Sequence, residues 1–217
     1  MKKMILALFA IGFLGLSAHA EFFAGAKLGF GEYKSDMQSM YDGISATNKE
    51  IDKSSKALFG LEAGYMWALT DVDQLGFKIG FEGRGEEEVE ATNYGPYEHR
   101  DATVNYFGMP ISVQYKRLLG NKWALLANAG FTYGWANVED EFSGVMSRKE
   151  TKTEGKLFPF LSVGAEYRFT KLFALGADLK YNFGGKIKVD GGYFDDVKLA
   201  DVSGLEFALA ARFYFGK

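Results

Sequence analysis

Single charges set into apolar runs at even spacings restrict this chain more than any other feature. In the stretch LSVGAEYRFTKLFALGADLKYNFGG, residues 161–185, Glu166, Arg168, Asp178 and Lys180 share one parity. Leu161, Val163, Ala165, Tyr167 and Phe169 hold the other, followed by Phe173, Leu175, Ala177, Leu179, Tyr181 and Phe183. A helix face recurs at three and four residues, so period two predicts strands with one apolar and one polar face. Charges of this kind are costly to bury without partners, so the polar face needs either water or opposite charges.

The alternation occurs eight times, over residues 22–30, 59–67, 75–82, 107–115, 123–135, 161–169, 173–183 and 205–215. Each run is about the ~9–11 residues of a tilted strand that crosses a membrane. Short connections, TDVDQ, LLGNK and the pair Thr170-Lys171, alternate with longer polar ones near 34–56, 84–101, 136–156 and 184–202. Short turns at one end and long loops at the other predict an all-β, eight-stranded, antiparallel up-and-down transmembrane barrel.

Volume decides which face points outward. Eight strands enclose a space that side chains just fill, and the Phe, Tyr, Trp and Leu of the apolar parity would overfill it. The opposite parity collects the strand glycines, Gly25, Gly64, Gly164 and Gly176 among them, which leave room for long charged neighbours. The polar face is therefore predicted to line the lumen. Its charges balance, with Glu62, Glu82, Glu166, Asp178 and Glu206 against Lys27, Lys78, Arg168, Lys180 and Arg212, and Arg84 near a rim. Trp67 and Trp123 flank short turns, whereas Trp135 and Tyr181 border the long connections, as aromatic residues do at membrane–water interfaces. Pro110 inside the fourth run predicts a bulge or a missing ladder hydrogen bond, since a closed barrel has no edge to hide it.

The start of the chain has a different character. Lys2 and Lys3, the apolar MILALFAIGFLGL and the small-residue pattern Ala18-His19-Ala20 predict a cleaved signal peptide over 1–20. Residues 21–217 are then one barrel domain with 23 basic and 28 acidic side chains, a charge of −5. No basic stripe suggests nucleic acid. The absence of cysteine excludes thiolate chemistry and cysteine-held metal. No cofactor or metal is expected. His99 beside Asp101 is the one histidine of the exported part, and no serine in YEHRDATVNY completes a nucleophile–base set, so no enzyme is expected. The acidic runs EEEVE and VEDE read as solvated surface.

YFGMPISVQYKRL at 106–118 and GAEYRF at 164–169, within the eight-run pattern, resemble the small outer-membrane barrels of the OmpA/OmpX type, often labelled outer membrane β-barrel or porin-family proteins. The resemblance implies a Gram-negative outer membrane, contact with its lipid and lipopolysaccharide, and insertion by the barrel assembly machinery. Its C-terminal aromatic signal corresponds to Phe213 and Phe215, followed here by Gly216-Lys217. The expected role is structural or a surface interaction through long extracellular loops with an unidentified ligand. The alternative is a small porin with a charged lumen, and further behind stands an enzyme acting on lipid A.

Overall fold

The computed structural model describes residues 20–31, 34–35, 48–52, 57–94, 97–144, 148–188 and 198–216; in 34–35, 48–52, 85–94, 97–104, 138–144, 148–154, 186, 188 and 198–201 it describes the course of the backbone alone. The signal-peptide expectation for 1–20 thus falls almost wholly outside the described residues. Eight strands form the wall: β1 (Ala20–Gly31), β2 (Ala57–Ala68), β3 (Asp73–Tyr94), β4 (Tyr97–Leu119), β5 (Trp123–Gly144), β6 (Arg148–Arg168), β7 (Phe173–Asn182) and β8 (Gly204–Phe215). Each is antiparallel to the next, and β8 returns to β1 from Phe22↔Phe215 to Gly31↔Glu206. Closure leaves no free edge around the wall, so backbone groups are satisfied without water, as a hydrocarbon surrounding requires.

Period two is what sorts the side chains. Large apolar residues such as Leu28, Phe30, Leu61, Phe131 and Val163 stand on the outside, while Glu82, Lys116, Glu166 and Arg212 are buried inside. Two of the three short turns are built alike. Leu69 and Thr70 both donate backbone N–H groups to the Asp73 carbonyl, and the Thr70 hydroxyl accepts from Val72 and Asp73. Phe169, Thr170, Leu172 and Phe173 repeat this pattern. The third turn passes through Gly120 at φ 69°, a conformation glycine reaches without a Cβ clash.

Pro110 sits on the inner wall of β4. The β3–β4 ladder runs to Ile79↔Ile111 and resumes at Glu82↔Gly108, skipping the Pro110 position without a change of register. Proline has no N–H to give that ladder, so the pairing lapses locally and no bulge forms.

The long connections differ from expectation in one respect. Residues 84–101 and 136–156 are for the most part strand: β3 and β4 stay paired to Tyr94↔Tyr97, and β5 and β6 to Phe142↔Arg148. Polar side chains do not break an antiparallel ladder, which holds through its backbone pairs. A short strand, Asn48–Asp52, joins the outer part of β3 from Asn48↔Thr92 to Asp52↔Glu88. A separate three-stranded patch joins Lys186–Lys188, Lys198–Asp201 and Lys34–Ser35.

Candidate functional site: the charged lumen

The inner wall is stacked in levels. At the short-turn end Phe23, Met66, Ala174 and Tyr214 form a buried apolar floor. Gly64 makes it possible, because a Cβ there would overlap the Phe23 ring. Arg168 closes the rim below, donating to both Glu21 oxygens at 2.9 Å. Its guanidinium lies 4.3 Å from the Tyr214 ring centroid, and Lys116 Nζ lies 4.2 Å from the same ring. Tyr214 donates its hydroxyl to Glu166 Oε2 at 2.6 Å, while Lys116 Nζ is 2.5 Å from Glu166 Oε1.

The next level centres on Arg212. Its Nε donates to Glu62 Oε1 at 2.5 Å, Nη2 bonds Asp178, and Nη1 lies 3.5 Å from Glu166 Oε2. A planar guanidinium suits this task because its five N–H groups point in fixed, different directions. Gly176 admits it, since a Cβ there would come within 2.7 Å of Arg212 Nη1. Lys78 approaches Glu62 Oε2 at 3.4 Å. Above, Glu82 receives Lys27 and Lys180, each at 2.7 Å. Lys180 is also 3.3 Å from Glu206 Oε2, and Glu206 bonds both Arg84 and Asn182.

At mid-depth β4, β5 and β6 carry neutral groups instead. Asn128 donates to Ser162 Oγ at 2.8 Å, with Ser112 and Thr132 buried on the same side. Towards the long-loop end Tyr106, Phe158, Ile187 and Val202 are buried, and the Val202 N–H bonds the Gly185 carbonyl at 3.1 Å. Within the ionic levels a cavity of about 30 Å³ remains, bordered by Lys27, Lys78, Lys180, Asp178, Glu206 and Ser162.

Of the ten charged residues named from parity, Lys27, Glu82, Lys180 and Glu206 meet in one set of ion pairs, Lys78, Glu62, Arg212, Asp178 and Glu166 meet in a second, and Arg168 pairs with Glu21 below both. Sequence reasoning overlooked Glu21, Lys116 and Tyr214 and left Arg84 at the rim. Lys116 was within reach, because the even parity of Ser112 and Gln114 continues one step to it. Outside, Trp67 packs on Phe77 at 5.4 Å and Trp123 on Tyr167 at 5.0 Å towards the short turns. Trp135 meets Phe107 at 6.0 Å and Tyr181 meets Phe183 at 4.8 Å towards the long loops. Beside the first turn Asp73 accepts from the Tyr115 hydroxyl at 2.5 Å, which holds its carboxyl below the ordinary range. The register sets His99 across from Thr92 on β3 and Ser143 on β5. Among the described residues no group of acidic or histidine side chains is arranged to hold a metal.

Comparison with known proteins adds the following. The family model "Outer membrane protein beta-barrel domain" matches residues 5–213. Among solved structures the fold is similar to the outer membrane protein OprG from Pseudomonas aeruginosa, at 13% identity over 94% of this chain and 99% of that one, with a TM-score of 0.52. Ail, the attachment invasion locus protein of Yersinia pestis, matches at 14% identity over 91% of this chain and 99% of that one, TM-score 0.49. Neisserial surface protein A matches at 15% over 90% and 97%, TM-score 0.48. No curated protein matches the chain.

Proposed function

Because the chain belongs to the outer membrane β-barrel family, we propose that it is a plugged, non-catalytic barrel that holds an interaction surface outside a Gram-negative cell. The observation that carries this reading is the filled lumen. Above the apolar floor, one cavity among the ion pairs, bordered by Lys27, Lys78, Lys180 and Asp178, holds about 30 Å³, small for an aqueous passage, and open channels belong to barrels of about sixteen strands. The lumen charges act as the plug. The four long wall strands, of 22, 23, 22 and 21 residues against 10 to 12 for the others, carry paired backbone beyond the barrel and supply the surface.

Its partners in this reading are outer-membrane lipid and lipopolysaccharide, the barrel assembly machinery during insertion, and an extracellular ligand met by the projecting strands. The leader over 1–20 is removed on export, which makes Glu21 the first residue of the membrane form; N-terminal sequencing of that form checks this. Conductance of refolded protein in planar bilayers tests the plug. Silence from protein that shows the gel-mobility shift of a closed barrel is expected. Stable unitary steps would overturn the reading and make the ion-pair set the lining of a small porin.

A further inference from the structure

We propose that the short-turn rim of β3 and β4 binds one membrane glycerophospholipid with a primary-ammonium headgroup, its phosphate on Arg117 and its ammonium on Asp73. Among the described side chains, the outward parity of the eight strands carries two charges, and they are these two. At the same end the other six strands present aromatic rings, Phe22, Trp67, Trp123, Tyr167, Phe173 and Phe213. The two charges are cross-strand partners, Asp73↔Arg117. They do not saturate each other: Arg117 Nη1 stands 3.8 Å from Asp73 Oδ1, beyond hydrogen-bonding distance, and the side chains are 55% and 22% exposed. Neutral groups hold Asp73 in place. The Tyr115 hydroxyl donates to Oδ1 at 2.5 Å and the Thr70 hydroxyl to Oδ2 at 3.1 Å. An ionised carboxylate has about four acceptor sites, so both oxygens keep room for a further donor.

The chemistry of the pair selects its occupant. A phosphoglycerol headgroup would satisfy Arg117 and leave Asp73 beside a second anion. A quaternary ammonium has no N–H for the carboxylate. A primary ammonium brings three donors, and a phosphate suits the fork of the guanidinium. Lys122, in the β4–β5 turn, adds a cation on the same outer side, with Nζ 5.7 Å from the centroid of the outward Tyr167 ring. Further along the wall Ala127 stands between Tyr115 and Val163, and Ala129 between Val113 and Leu161. These two small side chains leave a shallow furrow along β5 in which an acyl chain can lie.

This site rests on the membrane-barrel part of the reading above and not on the plug. Refolded protein in detergent is offered equal amounts of phosphatidylethanolamine, phosphatidylglycerol and phosphatidylcholine with the same acyl chains, and the retained adducts are identified by native mass spectrometry. One ethanolamine lipid per barrel is expected, preferred over the other two by about two- to fivefold, the ratio that one exposed ion pair supports. Asp73→Asn should abolish the preference over phosphatidylglycerol, and Arg117→Gln should lower the adducts of all three. Lys171→Gln, at an exposed cation of the third turn, should change neither. Equal retention of the three lipids, or a preference that survives Asp73→Asn, overturns the proposal. So does an equal loss in Lys171→Gln and Arg117→Gln, which would mean general attraction to charge. If Arg117→Gln does not fold, Arg117→Lys keeps the charge without the fork and should still weaken the adduct; an unchanged adduct overturns the proposal. Gel mobility is recorded on each preparation, so a closed barrel without the preference defeats the site and leaves the barrel reading intact. Conductance steps with the preference present would defeat the plug and leave the lipid site standing.

Discussion

The two walls of this barrel are made by the same strands, one residue out of step, and they obey different rules. The outer wall needs only to be apolar, because lipid adapts to whatever shape it meets. Leu28 stays 70% exposed there and Phe30 67%. The inner wall has no adaptable solvent. Arg212, fully buried, satisfies Glu62 and Asp178 from fixed angles and depends on glycine at position 176 for its space. An error outside is felt through depth in the membrane, whereas an error inside is felt through the loss of particular partners.

Substitutions on each wall and at the first turn probe that contrast. The largest effect is expected for Arg212→Met, which strands Glu62 and Asp178 in the lumen. Breaking a buried pair from one side costs about 3–5 kcal/mol, read as a fall in the urea midpoint of detergent-refolded protein. Arg212→Lys keeps the charge and loses the fork, and should fall between wild type and Arg212→Met; equality with wild type would mean that directed bonding is unimportant inside. Ala127→Arg, on the outer wall, should cost ~2–4 kcal/mol if it lies near mid-depth and reduce the yield of heat-modifiable barrel. A normal yield would reverse the assignment of the two faces.

Gly64→Ala drives a methyl group into the Phe23 ring and a backbone carbonyl, at about 1–3 kcal/mol. Adding Phe23→Leu should recover part of the loss, and additivity of the two changes in unfolding experiments would show that the ring and the glycine are not coupled. Asp73→Asn is the smallest. With its carboxyl lowered by Tyr115, Asp73 contributes stability that is present above its ordinary pKa of 3.8 and lost as pH falls through the lower folded value. The difference in urea midpoint between wild type and Asp73→Asn should therefore shrink on acidification below about pH 4. A constant difference would exclude the ionised form as its source.

Legibility followed the same division. Parity reads directly which wall a side chain lines, so Glu62, Arg212 and Trp123 could be assigned to a face from the residues alone. Parity says nothing of height, and height decides partners. Arg212 and Glu62 are 150 residues apart and meet only because β8, β1 and β2 stand side by side. Reading β4 only to Tyr115 hid Lys116. The outer parts of β3 to β6 read as loops because their apolar alternation stops, although their backbone pairing continues. Ile187 and Val202, buried at the long-loop end, lie outside any alternating run, so nothing local marks them as buried.

That continued pairing has a mechanical consequence. From Arg84 to Tyr94 β3 advances ten residues, roughly 33 Å at about 3.3 Å per step, or about 25 Å of height for a strand tilted by 35–45°. A ladder across four strands transmits force far better than free loops of the same length would. A ligand bound at the tip, as proposed above, would pull on the barrel itself, along the strand that carries Glu82 and Arg84, and the load would be borne by the wall rather than absorbed by slack chain.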